Sequence, residues 1–213
     1  MKSTTIFLAC ALTVSTIGCK GIGSGTANAH FKLGYKYLHA EKYDKSIKEF
    51  NLALPLLKKA YGNTHDSVAM CYLYLGDNYA DGRKDFSTAV NYYDSLIRVD
   101  SANKGESHFD LIHDYDYLFS AYSQMHEHQK AKKCIQKCLE LCEKQEDPTY
   151  KIGAKAFSLW QLASVDKSLG NTEQSKAEYI AAYKFTQDNP EAAGGLTLKI
   201  EDDYKKKFGT DIE

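Results

Sequence analysis

A short motif recurs four times along this chain, and its recurrence constrains the fold more than any other feature. In its complete form the motif is a leucine, a small residue directly after it and an aromatic residue, with a second small residue in the segment that follows. The leucines of successive copies are 42, 43 and 44 residues apart. The signature residues are Leu33, Gly34, Tyr37, Leu75, Gly76, Tyr79, Ala89, Leu118, Tyr122, Ala131, Leu162 and Ala163. Such self-similarity is typical of proteins built from stacked structural units.

The residue types of the motif indicate what each unit is. Small residues such as Gly34 and Gly76 would allow two helix backbones to approach closely, while the aromatic residues fill the space between turns. A single helix pair cannot bury its own apolar face, so neighbouring pairs stack into one continuous core. The sequence therefore predicts an all-α protein. The fourth copy is the most divergent, because Asp166 replaces its aromatic residue.

The motif resembles the tetratricopeptide repeat, in which Trp-x-x-Leu-Gly-x-x-Tyr is followed by Ala-x-x-x-Phe. Residues 61–69 also resemble the turn of the longer, kinesin-light-chain type of repeat. The resemblance implies a right-handed α-solenoid of about four helix pairs, closed by a C-terminal capping helix. The predicted repeats are residues 29–62, 69–102, 112–146 and 156–188, with the cap at 190–208.

Glycine, asparagine and proline positions divide the chain into segments of helical character. We predict helices near residues 29–40, 43–60, 65–80, 84–98, 107–125, 127–144, 148–169, 172–187 and 191–207. The polar residues of the last segment suit the outer face of a cap. With 213 residues, of which 43% are apolar, the chain is long enough to bury a core, and we expect one repeat domain over residues 29–208.

The first residues have the pattern of an export signal. Residues 1–18 contain one lysine, an apolar stretch and then a glycine before Cys19, which resembles a bacterial lipoprotein signal peptide. The resemblance implies cleavage before Cys19 and acylation of this cysteine, for example with palmitate. Two alternatives remain open: ordinary cleavage after the Ala-x-Ala site at residues 27–29, and no cleavage.

Residues 19–28 are rich in Gly, Ser and Thr, which favours a flexible tether between a lipid anchor and the repeat domain. These features predict that the protein lies in the bacterial cell envelope, anchored by lipid. Because Lys20, rather than an aspartate, follows the predicted lipidation site, the outer membrane facing the periplasm is favoured.

The charge balance argues against nucleic acid as a partner. The formal charge is -1, and removal of residues 1–18, which contain Lys2 and no acid, changes it to -2. Nucleic-acid binding draws most of its affinity from clustered Lys and Arg, and no such basic field is present. No catalytic motif stands in a suitable context either, so we expect a non-enzymatic protein without cofactor, catalytic residues or metal ligands.

Three cysteines lie on one face of a predicted helix. Cys134, Cys138 and Cys142 are four residues apart, which makes a disulfide between neighbours strained. The main interpretation is packing, with each thiol acting as a small apolar group. The alternatives are a metal- or redox-handling site with nearby histidines, or a disulfide to Cys71.

A second polar set lies at the start of the fifth predicted helix. Asp110, His113 and Asp114 fall within one helical turn, a spacing compatible with a divalent cation or with acid-base chemistry. The alternative is an ordinary solvated helix start, where acids are favoured by the helix dipole.

The best candidate for function is the concave groove that the repeat resemblance implies. Counting from the leucine–glycine core directs a largely aromatic set of side chains into it. The predicted partner-binding residues are Phe31, Tyr35, Tyr74, Asp77, His113, Tyr117, Phe157 and Trp160. Exposed Trp and Tyr are common anchors of recognition surfaces. The Lys, Arg and Asn with which chaperone-tail-binding relatives clamp a carboxylate are absent from the matching positions.

These features predict a scaffold that binds a protein or peptide partner in an aromatic groove. A mixed aromatic and acidic groove suits an extended or helical peptide with apolar anchors and basic residues. The alternatives are an assembly accessory lipoprotein of pilus, outer-membrane or cell-wall machinery and, in a different class, the metal- or redox-handling protein based on the cysteines.

Overall fold

The computed structural model describes the backbone of residues 14–212 and the side chains of residues 24–212, and this part of the chain is helical without strands. The helices are α1 (Val14–His39), α2 (Tyr43–Tyr61), α3 (Asp66–Asp77), α4 (Phe86–Lys104), α5 (Asp110–Gln124), α6 (His128–Glu143), α7 (Pro148–Ser168), α8 (Thr172–Asp188), α9 (Pro190–Ala193) and α10 (Leu196–Phe208). Helix α3 continues into a π-helical turn at Asn78–Gly82. The all-α solenoid predicted from the sequence is confirmed.

The helices pack as four consecutive pairs, α1 with α2 through α7 with α8. Glycines make the closest approaches within these pairs. A Cβ atom on Gly34 would lie 3.0 Å from the buried ring of Phe50, and one on Gly76 would lie 2.3 Å from the ring of Tyr93. The small residue of the motif is therefore needed because an aromatic side chain of the second helix occupies the space beside it.

Local capping explains where several helices begin. The side chain of His65 accepts a hydrogen bond from the backbone amide of Ser67 at the start of α3. Asp85 does the same for Thr88 at the start of α4, and Asp147 for two amides at the start of α7. These side chains satisfy amides that have no partner within the helix.

The N-terminal end departs from the sequence prediction in two ways. Residues 24–28 were expected to be part of a flexible tether, but they are helical, and Ala27 is fully buried against the core that contains Phe50. Small residues permit this close packing. Leu33 was expected in the core but is 36% exposed, whereas its counterpart Leu75 is fully buried. Leu33 lies on α1, and no helix pair precedes α1 in the described part of the chain to cover it.

The C-terminal cap is also built differently from the single helix predicted for residues 191–207. Gly194, with φ +54°, ends α9, and α10 begins two residues later. Ile200 and Tyr204 of α10 are buried against Tyr179 of α8, so this helix covers the apolar end of the stack.

Asp166, which replaces the motif aromatic in the fourth repeat, is fully buried. The ammonium group of Lys132 on α6 lies 2.7 Å from both of its carboxylate oxygens, and Asn171 donates a further hydrogen bond of 2.7 Å. Burial raises the pKa of Asp166, but these hydrogen bonds outweigh it and hold the pKa below its ordinary value. An ion pair thus joins the third and fourth repeats where the other repeats use an aromatic residue.

Among the described residues, no helix has both the length and the apolar composition that crossing a bilayer would require.

Candidate functional site

The first helices of the four pairs, α1, α3, α5 and α7, share one surface, which we call the first-helix face. Three cavities open between these helices, and side chains of α5 connect them. Tyr117 lines the second and the third cavity, and His113 lines the third and the first. The three cavities are therefore adjacent along this face, and each is separated from the next by a shared side chain.

The first cavity, which we call the apolar cavity, lies between α5 and α7 over Cys138 of α6 and has a volume of about 350 Å³. Its apolar lining includes Ile112, Ala154 and Phe157. Its polar lining groups include His113 and Tyr150, which contact each other. The Tyr150 hydroxyl lies 3.1 Å from Nε2 of His113. This cavity suits an apolar side chain of a partner.

The rim of the apolar cavity also carries a carboxylate. Gln161 of α7 donates a hydrogen bond of 2.6 Å to the carboxylate of Asp116 on α5. Burial raises the pKa of Asp116, while this hydrogen bond and the nearby His113 oppose the change. The bond joins neighbouring repeats across the first-helix face.

The second cavity, which we call the Asp77 cavity, has a volume of about 310 Å³ and lies where α3 passes into its π-helical turn. The Tyr93 hydroxyl donates a hydrogen bond of 3.0 Å to Asp77, and the rings of Tyr93 and Tyr117 stack with centroids 5.3 Å apart. Burial is the largest cause that raises the pKa of Asp77 to about 6. Asp77 has no cationic partner among the described side chains.

The third cavity, which we call the acidic cavity, has a volume of about 380 Å³ and is walled by α3 and α5 with the end of α4 as its floor. Four carboxyl groups line it, together with one ammonium group. These residues are Asp66, Asp100, Asp110, Asp114 and Lys104. Lys104 lies 2.7 Å from Asp110 and 3.2 Å from Asp100. The acidic cavity therefore holds more negative than positive charge.

At the N-terminal end of the first-helix face, the predicted aromatic residues come together but are not equally free. The ring of Tyr74 lies 5.8 Å from Phe31, 5.3 Å from Tyr35 and 5.4 Å from the buried Phe50. Phe31 and Tyr74 are partly buried against the core, whereas Tyr35 is 42% exposed. Tyr35 is therefore the residue of this group best placed to contact a partner.

At the other end, Phe157 and Trp160 form an edge-to-face pair with ring centroids 5.7 Å apart. Phe157 is 38% exposed. The indole of Trp160 instead packs within the C-terminal core cluster and donates a hydrogen bond of 2.8 Å to Asp203 of α10. Trp160 is therefore only partly available on the first-helix face, because α10 docks beside it.

The three neighbouring cysteines are buried, as the packing interpretation predicts. Cys138 donates a hydrogen bond of 3.4 Å to the carbonyl oxygen of Ile112. Burial raises the thiol pKa of Cys134 to about 12 and of Cys142 to about 11, and it raises that of Cys138 further. A protonated, buried thiol is a poor nucleophile and a poor metal ligand. Cys71 is a buried free thiol too, so it forms no bridge to them.

The acids near the start of α5 differ from both sequence-based interpretations. Asp110 pairs with Lys104, the exposed His113 contacts Tyr150, and Asp114 is only 5% exposed. Asp114 is therefore not part of a solvated helix start. In the described part of the chain, no three His, Cys, Asp or Glu side chains are arranged to hold a metal ion.

Several residues of this surface were not predicted from the sequence. Tyr150 precedes the fourth motif in sequence. It lines the apolar cavity because α7 begins at Pro148, well before that motif. Asp100 and Lys104 belong to a second helix, which counting from the motif excludes from the groove. The predicted lipidation site Cys19 and the whole of the predicted signal segment 1–18 lie outside the residues whose side chains are described.

Comparison with protein-family models gives two matches, both described as tetratricopeptide repeat. One covers residues 25–102 and the other residues 120–145. Both segments are therefore similar to tetratricopeptide repeats. The prediction of tetratricopeptide repeats is thus confirmed for these segments, whereas the fourth helix pair lies outside both matches. A comparison with curated protein sequences finds no match.

Solved structures with the same arrangement include kinesin-light-chain-like repeat proteins. BtubC (BKLC) from P. vanneervenii is 17% identical, with a TM-score of 0.69 over 78% of this chain and 65% of its own. A putative kinesin light chain from Podosopora anserina is 12% identical, with a TM-score of 0.68 over 85% of this chain and 84% of its own. The apo form of RapI is 15% identical, with a TM-score of 0.68 over 86% of this chain and 63% of its own. The chain spans about two thirds of BtubC, and at these identities the similarity shows the fold alone.

Proposed function

We propose that this protein is a lipid-anchored tetratricopeptide-repeat scaffold of the bacterial cell envelope, which binds a protein or peptide partner along its first-helix face and performs no chemistry. The observation that carries the proposal is the row of three adjacent cavities between α3, α5 and α7. A row of this kind suits an extended or helical segment that places successive side chains in successive cavities.

The composition of the row supports a peptide rather than a small metabolite as ligand. Exposed aromatic side chains lie towards both ends, at Tyr35 and Phe157, and the cavities between them differ in polarity. Recognition surfaces commonly combine aromatic anchors with a few charged positions that fix register. The lipid anchor at Cys19 and the outer-membrane location are part of the proposal and derive from the resemblance of residues 1–19 to a lipoprotein signal.

Site-specific photo-crosslinking in the envelope of the native host tests the binding surface. Benzoylphenylalanine replaces either Tyr35 or Phe157, and a matched control carries it at Leu52 of α2, which is 43% exposed away from the first-helix face. We expect adducts to the same partner from Tyr35 and Phe157 and none from Leu52. Equal adducts from all three positions, or adducts from Leu52 alone, would exclude the first-helix face as the binding site.

The anchor is tested independently. Metabolic labelling with an alkyne-bearing fatty acid should mark the wild-type protein and leave Cys19→Ser unmarked. The substitution should also move the protein from the membrane to the soluble fraction. Persistent labelling of the variant would show that acylation, if present, occurs elsewhere.

A further inference from the structure

The acidic cavity contains two buried carboxyl groups, each of which has one oxygen atom that receives no hydrogen bond from a basic or amide group of the protein. Asp100 is 4% exposed and Asp114 is 5% exposed, and when both are ionised, Oδ1 of Asp100 and Oδ2 of Asp114 accept no hydrogen bond from any described residue. Both residues line the cavity. Buried polar atoms are nearly always paired, so two ionised carboxylates with unpaired oxygen atoms in this low-dielectric site would be unfavourable.

The surrounding charges do not remove this deficit. Lys104 reaches Asp100 at 3.2 Å, Asp110 at 2.7 Å and Asp66 at 3.8 Å, but it forms no ion pair with Asp114. Each helix around Asp114 contributes charged or titratable groups to the cavity. These are Asp66 from α3, Asp100 and Lys104 from α4, and Asp110, His113 and Tyr117 from α5. His108, in the segment before α5, lies 3.6 Å from Asp110.

We propose that the acidic cavity receives the ammonium or guanidinium group of a lysine or arginine side chain of the peptide partner, while a neighbouring apolar side chain of the same peptide enters the apolar cavity. The inference rests on the proposed function and specifies the partner. Charge complementarity favours a cation, because four carboxyl groups face one ammonium group. His113 lines both cavities, so a basic and an apolar residue close together in sequence can occupy them at once.

The free protein keeps a proton in this cavity. Burial, followed by the charge of Asp100, raises the pKa of Asp114 to about 8, and the protonated carboxyl is hydrogen-bonded to Asp100. When a basic side chain enters, its N–H groups donate to both aspartates, the O–H bond of Asp114 breaks, and the proton leaves to solvent. One cation thus replaces one proton. Peptide affinity should therefore rise with pH, by up to about tenfold per unit below pH 8, because one proton is released per peptide bound.

Selection from a displayed library of random twelve-residue peptides tests the inference on the full chain. We expect the selected peptides to carry Lys or Arg near an apolar residue. A synthetic copy of the strongest peptide should bind Asp114→Asn more than tenfold more weakly and lose its pH dependence, whereas Asp188→Asn, which removes the same charge from the exposed end of α8, should bind normally. Asp66→Asn, at the exposed edge of the cavity, provides a second variant that leaves the buried pair intact, and it should weaken binding several-fold.

The outcomes distinguish the inference from the proposed function. Selected peptides without basic residues, or unchanged binding to Asp114→Asn and Asp66→Asn, would overturn the cation site and leave the scaffold intact. If no selected peptide binds Phe157→Ala more weakly than it binds the wild type, both the inference and the proposed function would be overturned. Stabilisation of the wild type by millimolar CaCl₂ or MgCl₂ alone, lost in Asp114→Asn, would identify a metal site and also overturn the inference.

Discussion

The hydroxyl group of Ser46 on α2 donates a hydrogen bond of 2.9 Å to the carbonyl oxygen of Gly34 on α1. Ser175 and Ala163 form the same bond, at 2.6 Å, in the fourth repeat. In the first and fourth repeats, a buried serine of the second helix is thus hydrogen-bonded to the first helix. Ala89 occupies the corresponding place in the second repeat.

Replacement of Ser46 or Ser175 by alanine should therefore be tolerated at a modest cost. We expect each variant to lower the free energy of unfolding by about 1 kcal/mol, the usual net value of one buried hydrogen bond. Chemical denaturation measures this loss. A much larger loss would contradict this explanation, because it would mean that the packing of the two helices depends on the bond.

Gly76→Ala should be much more damaging, because its Cβ atom would lie 2.3 Å from the Tyr93 ring. We expect a loss of about 1–3 kcal/mol or more from overpacking. Gly25 in α1 is the matched control, since a Cβ atom there meets nothing within 4 Å. Gly25→Ala should be neutral or stabilise by about 0.5–1 kcal/mol, because alanine is the better helix former. Thermal melts followed by circular dichroism compare the two, and equal effects would refute the packing explanation.

Asp166→Ala should destabilise strongly, because it leaves the ammonium group of Lys132 largely buried without its carboxylate. Breaking a buried ion pair typically costs about 3–5 kcal/mol. The double variant Asp166→Leu with Lys132→Met should recover much of this loss, since it removes both charges. Glu140→Ala, which breaks exposed pairs with Lys137 and Lys144, is the control and should change stability little. A double variant no more stable than Asp166→Ala would contradict the ion-pair explanation.

The contribution of Asp114 to the free energy of unfolding should fall as pH rises from about 4 to about 8, because the folded state retains a proton that the unfolded state has lost. Its folded-state pKa of about 8 lies above the ordinary unfolded value, so the folded protein binds more protons in this range. Each fully retained proton changes the free energy of unfolding by about 1.4 kcal/mol per pH unit. Denaturation of Asp114→Asn at pH 5 and pH 8 checks this: the variant should show a shallower decline than the wild type. Identical pH profiles would show that Asp114 does not hold the proton.

The four buried thiols should resist alkylation in the folded protein. With pKa values raised to about 12 for Cys71 and Cys134, almost no thiolate exists at pH 8. Iodoacetamide should modify these thiols only as fast as the protein unfolds, and all four should react in denaturant without prior reduction. Rapid reaction of Cys134 under native conditions would instead support the redox alternative.

The repeat architecture was predictable because its determinants are local and periodic. Gly34 and Gly76 each report a close helix approach within their own repeat, so the motif alone fixes which helices pair. The site was only partly predictable. Asp100 and Asp114 lie on different helices, and their shared cavity depends on how α4 meets α5, which no spacing in the sequence encodes. Trp160 was placed on the correct helix, but its partner Asp203 comes from a capping helix that follows no repeat.

The contact between Trp160 and Asp203 gives the protein an internal optical reporter. The chain contains one tryptophan, and its indole joins the capping helix α10 while touching Phe157 at the edge of the apolar cavity. Tryptophan emission therefore comes from one residue. It should change when α10 undocks and when a partner side chain binds in the apolar cavity. Undocking of α10 ahead of the remaining helices would appear as a change in emission before any loss of helical circular dichroism.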